Sequence, residues 1–208
     1  MKKLMTEKGF ERFVFFSDAV VAFALTLLVV PLTDLAVDEI TKEHRGSILN
    51  LLAENFETAI AFVISFVVVI ALWNTHRSTF ERVKTADYYI ARLNSAWLFT
   101  VICIPFATQL IAGGYIKENV MMYASLVSAN TICIRLIDVH VMKHRDTLAA
   151  QGAEFTRSLM GWITPITSVV IIGIIASVPA SGQYALLLLG LDNVIASVIR
   201  RVKRLTGK

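Results

Sequence analysis

Charged residues are scarce in this sequence. They make up 17% of its 208 residues, against about 25% in an ordinary soluble domain, and hydrophobic residues make up 56%. The chain also lacks a polar linker or a low-complexity tract that would separate one domain from another. This composition excludes a typical soluble domain and predicts one membrane-embedded domain over residues 1–208.

Cysteine and catalytic motifs are also sparse. Cys103 and Cys133 both lie within apolar runs, where they are expected to act as small hydrophobic side chains and not as a disulfide. The sequence contains no Walker loop, nucleophile elbow or cluster of metal ligands. We therefore predict no enzymatic activity, no cofactor and no bound metal. Asp18 interrupts the first apolar run, so we expect that run to be a retained helix and not a cleaved signal peptide.

The apolar runs have the length of membrane-spanning helices. About 20 mostly apolar residues are needed to cross a bilayer as a helix, whereas strands of a barrel would alternate over about ten residues. The sequence therefore predicts an all-α, polytopic membrane protein with a six-helix transmembrane bundle. The predicted spans are residues 13–32, 56–75, 94–112, 120–140, 159–178 and 183–199.

Basic residues are distributed unevenly between the two sides of this bundle. Sixteen of the 20 Lys and Arg residues fall in the termini and in the connections on one side, and Lys42, Arg45 and Lys117 fall on the other. Because Lys and Arg are enriched on the cytoplasmic side, both termini are predicted to be cytoplasmic. This placement of basic residues favours a bilayer over nucleic acid as the partner. The outer connection, about residues 33–55, carries several carboxylates and is either a mildly acidic mouth or a solvated loop.

The first predicted helix has two different faces. Phe16, Val20, Phe23, Leu27 and Val30 recur at steps of three and four residues and form an apolar stripe, with Thr26 beside it. At 100° per residue, Asp18 points roughly 140° away from Phe23. Periodicity alone favours an ordinary core-facing seam for the stripe, and a lining of a central pathway is the alternative.

Polar residues near the cytoplasmic end of three helices are predicted to meet. Groups at one depth in lipid should satisfy each other, so we predict a hydrogen-bonded network. Its predicted members are Arg12, Ser17, Asp18, Trp73, His76 and Asn94. The alternative is an interfacial tryptophan beside a solvated histidine. Arg135 and Asp138 are spaced to pair on the fourth helix, whereas Asp192 has no evident partner in the sequence.

These motifs resemble the family of the lysosomal potassium channel called transmembrane protein 175, and in particular its bacterial members. The family signature is matched by Arg12, Phe16, Ser17 and Asp18, and is followed by Thr-Leu-Leu-Val at residues 26–29. Later motifs of the family are matched by Ser65-Phe66, Trp73, His76, Leu93-Asn94 and Pro105-Phe106. The resemblance covers the first half of the chain well and the second half mainly through the number of helices.

The resemblance implies a homotetramer of six-helix chains in a bacterial inner membrane, with a potassium path lined by the four first helices. It implies a hydrophobic constriction five residues after the motif aspartate, and further layers eight, nine and twelve residues after it. These positions are Phe23, Thr26, Leu27 and Val30. The motif residues Arg12, Phe16, Ser17, Asp18, Trp73, His76 and Asn94 are implied to support this helix from behind.

Two positions depart from the family pattern. The constriction residue is usually Ile or Leu and here is Phe23, and a usual pair of histidines is reduced to His76 followed by Arg77. We expect a potassium-selective channel subunit whose only metal is the permeant ion. The alternatives are a proton-permeable channel or proton-coupled transporter that uses Asp18 and His76, and a membrane scaffold without transport.

Overall fold

The computed structural model describes residues 4–41, 47–113 and 116–153, together with residues 166 and 170. Every regular element in this part of the chain is a helix. The helices are α1 (Glu7–Leu27), α2 (Val30–Thr41), α3 (Ile48–Glu54), α4 (Phe56–Phe80), α5 (Tyr88–Ala112), α6 (Lys117–Lys143) and α7 (Arg145–Leu148). This confirms the all-α prediction for the described residues.

Four segments are long and apolar enough to cross a membrane. They are Glu7–Val37, Phe56–Phe80, Tyr88–Ala112 and Lys117–Lys143. Each contains one of the first four predicted spans and exceeds it at one end or both, because a helix continues into polar sequence after the apolar run has ended. The predicted spans 159–178 and 183–199, with Asp192, lie outside the continuously described residues.

Pro31 interrupts the first span. Without an N–H group, Pro31 cannot donate to the carbonyl of Leu27, four residues earlier, and α1 ends there. Val29 N instead donates to Thr26 O at 3.3 Å, and α2 begins at Val30. The predicted loop over residues 33–55 is therefore wrong in its conformation, because α2 and α3 occupy most of it.

Helix α5 lies at the centre of the described bundle and packs against α1, α4 and α6. Its buried residues continue along its whole length, including Ile90, Trp97 and Ile104, which have less than 2% exposure. Tyr123 and Ile137 of α6 are equally buried. The helix begins at Asp87, whose Oδ1 accepts from Tyr89 N at 3.1 Å and Ile90 N at 3.0 Å.

A clasp of backbone hydrogen bonds joins three distant segments at one end of the bundle. Met5 N donates to Ala86 O at 2.9 Å, just before α1 begins. Lys84 N donates to Leu148 O and Ala150 N donates to Arg82 O, both at 2.8 Å. The clasp therefore connects the start of α1, the α4–α5 connection (residues 81–87) and the segment after α6.

Charged side chains reinforce this clasp. The carboxylate of Asp87 accepts from His140 Nε2 at 2.8 Å through its Oδ2 atom. Arg82 Nη2 donates to Asp138 Oδ1 at 3.1 Å. Asp138, which is spaced to pair with Arg135 on its own helix, thus has a partner in the α4–α5 connection.

We predict that Asp87→Ala lowers the stability of the protein. The change removes the cap of α5, which typically contributes about 1 kcal/mol, and also removes the acceptor for His140. The apparent melting temperature in detergent should fall by roughly 2–4 °C. Asp146→Ala is the matched control, because Asp146 is exposed on the nearby α7. Equal melting temperatures for the two variants would contradict this role of Asp87.

Candidate ion path and its support

An exposed apolar stripe runs along α1. Phe23 is 64% exposed, Leu27 37% and Val30, at the start of α2, 41%. Thr26 is also exposed, and its hydroxyl donates to Phe23 O at 2.7 Å. These four residues, which the family resemblance assigns to a pore lining, thus lie together on a face that their own protomer leaves open.

The opposite face of α1 is buried. Ser17, Val21, Ala24 and Leu28 follow one another at steps of four, three and four residues, and each has 3% exposure or less. This face packs against α4 and α5. Small and β-branched side chains allow the three helices to approach closely, and the packing fixes which side of α1 remains open.

Buried hydrogen bonds connect this face to the neighbouring helices. Asn94 Nδ2 donates to Ser17 Oγ at 2.8 Å, and Ser17 Oγ in turn donates to Phe13 O at 3.1 Å. His76 Nε2 lies 2.8 Å from Asn94 Oδ1. Because an amide oxygen only accepts, His76 is the donor in this pair. The structure thus joins one residue from each of α1, α4 and α5 in a single buried chain of hydrogen bonds.

Asp18 lies beside this chain and has a separate partner. Its Oδ1 accepts from Trp73 Nε1 of α4 at 2.9 Å. Arg12, also expected in the network, is exposed on α1 and joins none of these bonds among the described residues. Phe16 of the same motif is 61% exposed and lies at the N-terminal end of the open stripe.

His76 is also held by aromatic rings. Its ring stacks on Trp97 at 4.0 Å and on Phe80 at 4.3 Å between centroids. Phe80 in turn contacts Phe10 at 6.2 Å and Phe13 at 6.1 Å, both on α1. The predicted network did not include these aromatic residues. Trp97 lies three positions after Asn94 and Phe13 four positions before Ser17, so helical spacing already places each of them on the same face as a predicted member.

Two further polar contacts that the sequence analysis did not predict lie deeper in the bundle. Thr108 Oγ1 donates to Ser65 Oγ at 2.8 Å, between α5 and α4. Asn130 Nδ2 donates to Thr100 Oγ1 at 3.0 Å, between α6 and α5. Hydrogen bonds of this kind connect helices in lipid, where apolar surfaces alone give little driving force for association.

The open stripe is apolar apart from the Thr26 hydroxyl. Among the described residues, no group of three or more His, Cys, Asp or Glu is arranged to hold a metal ion. Cys103 and Cys133 are free thiols, each partly buried. Long apolar helices with an open, rigidly supported stripe define an integral membrane protein with a candidate path along α1.

Comparisons with known proteins agree with this class. Residues 12–105 match the family described as endosomal/lysosomal potassium channel TMEM175. A potassium channel of Chamaesiphon minutus is 28% identical over 142 residues, which cover 67% of this chain and 68% of the relative. The endosomal/lysosomal proton channel TMEM175 of Mus musculus is 32% identical over 98 residues, or 46% of this chain and 18% of the mouse protein.

A solved structure extends the comparison to the fold. The crystal structure of a lysosomal potassium-selective channel TMEM175 homolog from Chamaesiphon minutus matches with a TM-score of 0.71 and 21% identity. The match covers 90% of this chain and 97% of that chain, and a six-helix bundle is consistent with it. Residues 12–105, the part of the chain that the family model matches, resemble the TMEM175 family of ion channels. The family resemblance deduced from the motifs is confirmed, and the family is one of channels and not of enzymes.

We predict that Asn94→Leu destabilises the bundle. Leucine fills a similar volume but leaves the buried His76 donor without its acceptor, at a cost of about 1–3 kcal/mol. The midpoint of thermal unfolding, followed by size-exclusion chromatography in detergent, should fall clearly below that of the parent. Ser95→Leu, at the exposed neighbouring position, serves as the control. If both variants melt like the parent, the buried bonds do not hold α1 in place.

Proposed function

We propose that this chain is one subunit of a homotetrameric, potassium-selective channel of a bacterial plasma membrane, with both termini in the cytoplasm. The observation that carries the proposal is the open stripe of α1. The opposite face of the helix is buried against α4 and α5, whereas the stripe exposes Phe23, Thr26, Leu27 and Val30. One helix cannot enclose a path for ions, so the proposal requires several copies. The names of the bacterial relatives support potassium as the permeant ion.

The membrane orientation follows from charge. The clasp end of the bundle carries Arg77 in the last turn of α4, and Arg82 and Lys84 in the α4–α5 connection. Lys and Arg are enriched on the cytoplasmic side of membrane proteins. The clasp is then cytoplasmic, and α2 and α3 lie towards the outer side.

The proposed selectivity comes from a narrow apolar neck. Four Phe23 rings with the Leu27 and Val30 layers disfavour water, so a hydrated ion must lose part of its shell to pass. Potassium is less strongly hydrated than sodium and loses water at a smaller cost. The Thr26 hydroxyl donates its proton to its own helix, which leaves its oxygen as an acceptor for a cation.

Phe23→Ala should raise potassium current and weaken selectivity. Lowering the barrier by about 1.4 kcal/mol would increase the rate of passage about tenfold. The test is to compare potassium, sodium and proton flux in liposomes, and single-channel currents in bilayers. Phe99→Ala on α5 is the matched control, because Phe99 is 66% exposed and Phe23 64%. Unchanged currents in Phe23→Ala, or equal changes in both variants, would reject this neck.

Proton permeation is the second candidate function. Vertebrate relatives are named proton channels, and the chain holds a carboxylate, Asp18, close to the buried His76. Because His76 donates from Nε2 to Asn94, its Nδ1 is the unprotonated nitrogen, and among the described residues no group donates to it, so its lone pair is available to accept a proton.

Asp18→Asn separates the two functions. From the sequence, the potassium-channel hypothesis predicts poor assembly of this variant, and the proton hypothesis predicts a folded protein without flux. An amide oxygen accepts the Trp73 Nε1–H bond as a carboxylate does, so we expect the variant to assemble. Potassium flux that is retained favours the potassium path. Loss of proton flux in a normally assembled Asp18→Asn protein, measured with a pH-sensitive dye inside liposomes, favours the proton relay.

A further inference from the structure

The exposed stripe of α1 continues beyond the break at Leu28 and Val29. On α2, Thr33 and Asp34 are exposed and Val37 is 56% exposed. Half-buried residues alternate with these exposed ones. Pro31 and Leu32 come before Thr33, and Leu35 and Ala36 come before Val37. Exposed positions thus recur at steps of three and four residues from Phe23 to Val37, as on one helix.

The break preserves the helical rotation. Leu28 has right-handed helical backbone angles, with φ −63° and ψ −28°. Leu32 N and Thr33 N both donate to Val29 O, at 3.0 and 3.2 Å. Because a heptad drifts by only about 20° on a straight helix, Asp34 lies close to the face of Leu27, seven residues before it.

The side chains at this level offer oxygen atoms. Thr33 Oγ1 donates its proton to Val30 O at 2.6 Å, so its oxygen is free to accept on the outer side. Asp34 adds an exposed carboxylate, and among the described residues no basic group lies within ion-pair distance of it. At 1.5 Å per residue, Asp34 lies about 6 Å beyond Val30 along the helix.

We propose that Thr33 and Asp34 form a ring at the outer mouth of the path that concentrates monovalent cations before they enter the neck. This inference rests on the proposed function, because the ring exists only when several copies of α1 and α2 surround one axis. Rings of acidic side chains serve cation channels in this way. The ring acts on the supply of cations, whereas the discrimination between potassium and sodium remains with Phe23, Thr26, Leu27 and Val30.

The effect of the ring depends on salt. The Debye length is about 30 Å at 0.01 M ionic strength and about 3 Å at 1 M. Four carboxylates therefore attract cations strongly in dilute salt and are screened in concentrated salt. Because both ions carry one positive charge, removal of the carboxylates changes the conductance and leaves the preference for potassium over sodium unchanged.

The test is the single-channel conductance of Asp34→Asn in bilayers, measured in dilute and in concentrated potassium chloride. In dilute salt we expect a decrease on the order of threefold, the enrichment that a potential of about one kT produces. In concentrated salt the variant and parent should agree, with equal reversal potentials under potassium–sodium gradients. Glu54→Gln is the control, since Glu54 is exposed on α3 and lies off the stripe. An unchanged conductance in dilute salt, or an equal decrease in Glu54→Gln, overturns the ring.

A second variant distinguishes the loss of the negative charge at position 34 from a change of fold. Asp34→Cys, modified in place by a negatively charged thiosulfonate, should recover the conductance in dilute salt, while a positively charged reagent should lower it further. The parent, with Cys103 and Cys133, is treated in parallel. Equal responses to the two reagents overturn the ring. Absence of any cation flux in the parent would reject the proposed function itself, whereas flux in the parent with no effect at Asp34 rejects only the ring.

Discussion

Asn94 uses both ends of its amide inside the bundle, donating to Ser17 on α1 and accepting from His76 on α4. With 0% exposure, it has no access to water that would replace either partner. Rotation of α1 by one residue, about 100°, would remove Ser17 from this position and leave buried polar groups unsatisfied. The orientation of α1, and with it the position of the open stripe, therefore depends on this one side chain.

Other contacts also hold the buried face of α1 against the neighbouring helices. Trp73 binds Asp18 beside the buried chain, and the rings of Trp97 and Phe80 enclose His76. The clasp fixes the start of α1 through Met5, so the helix is held at its end as well as along its buried face. In lipid, polar contacts and close packing replace the hydrophobic driving force, and both are concentrated here on the side of α1 that faces away from the stripe.

Local sequence contained enough information for the helices and their faces, but not for the partners of charged groups. Phe23, Leu27 and Val30 share a face in any helix with 3.6 residues per turn, so their common exposure follows from spacing. Arg82 and Asp138 are far apart in sequence, and their ion pair depends on how α4, α5 and α6 pack. Pro31 was a visible signal for the break after α1. The helices in the following connection were missed because its carboxylates, such as Asp34, Asp38 and Glu54, interrupt the apolar run and indicated a solvated loop.

Both departures from the family pattern fit this division between a locked face and an open one. Arg77 takes the position of the usual second histidine, where it is exposed, pairs with Glu81 at 3.0 Å and lies over the Trp73 ring at 5.8 Å. It therefore stays outside the buried chain, which needs only His76. Phe23 lies on the open stripe, so its larger ring is accommodated without repacking of the protomer. In the proposed tetramer that ring would face the space between subunits, where a bulkier apolar side chain would narrow the path and raise the cost of removing water from the ion.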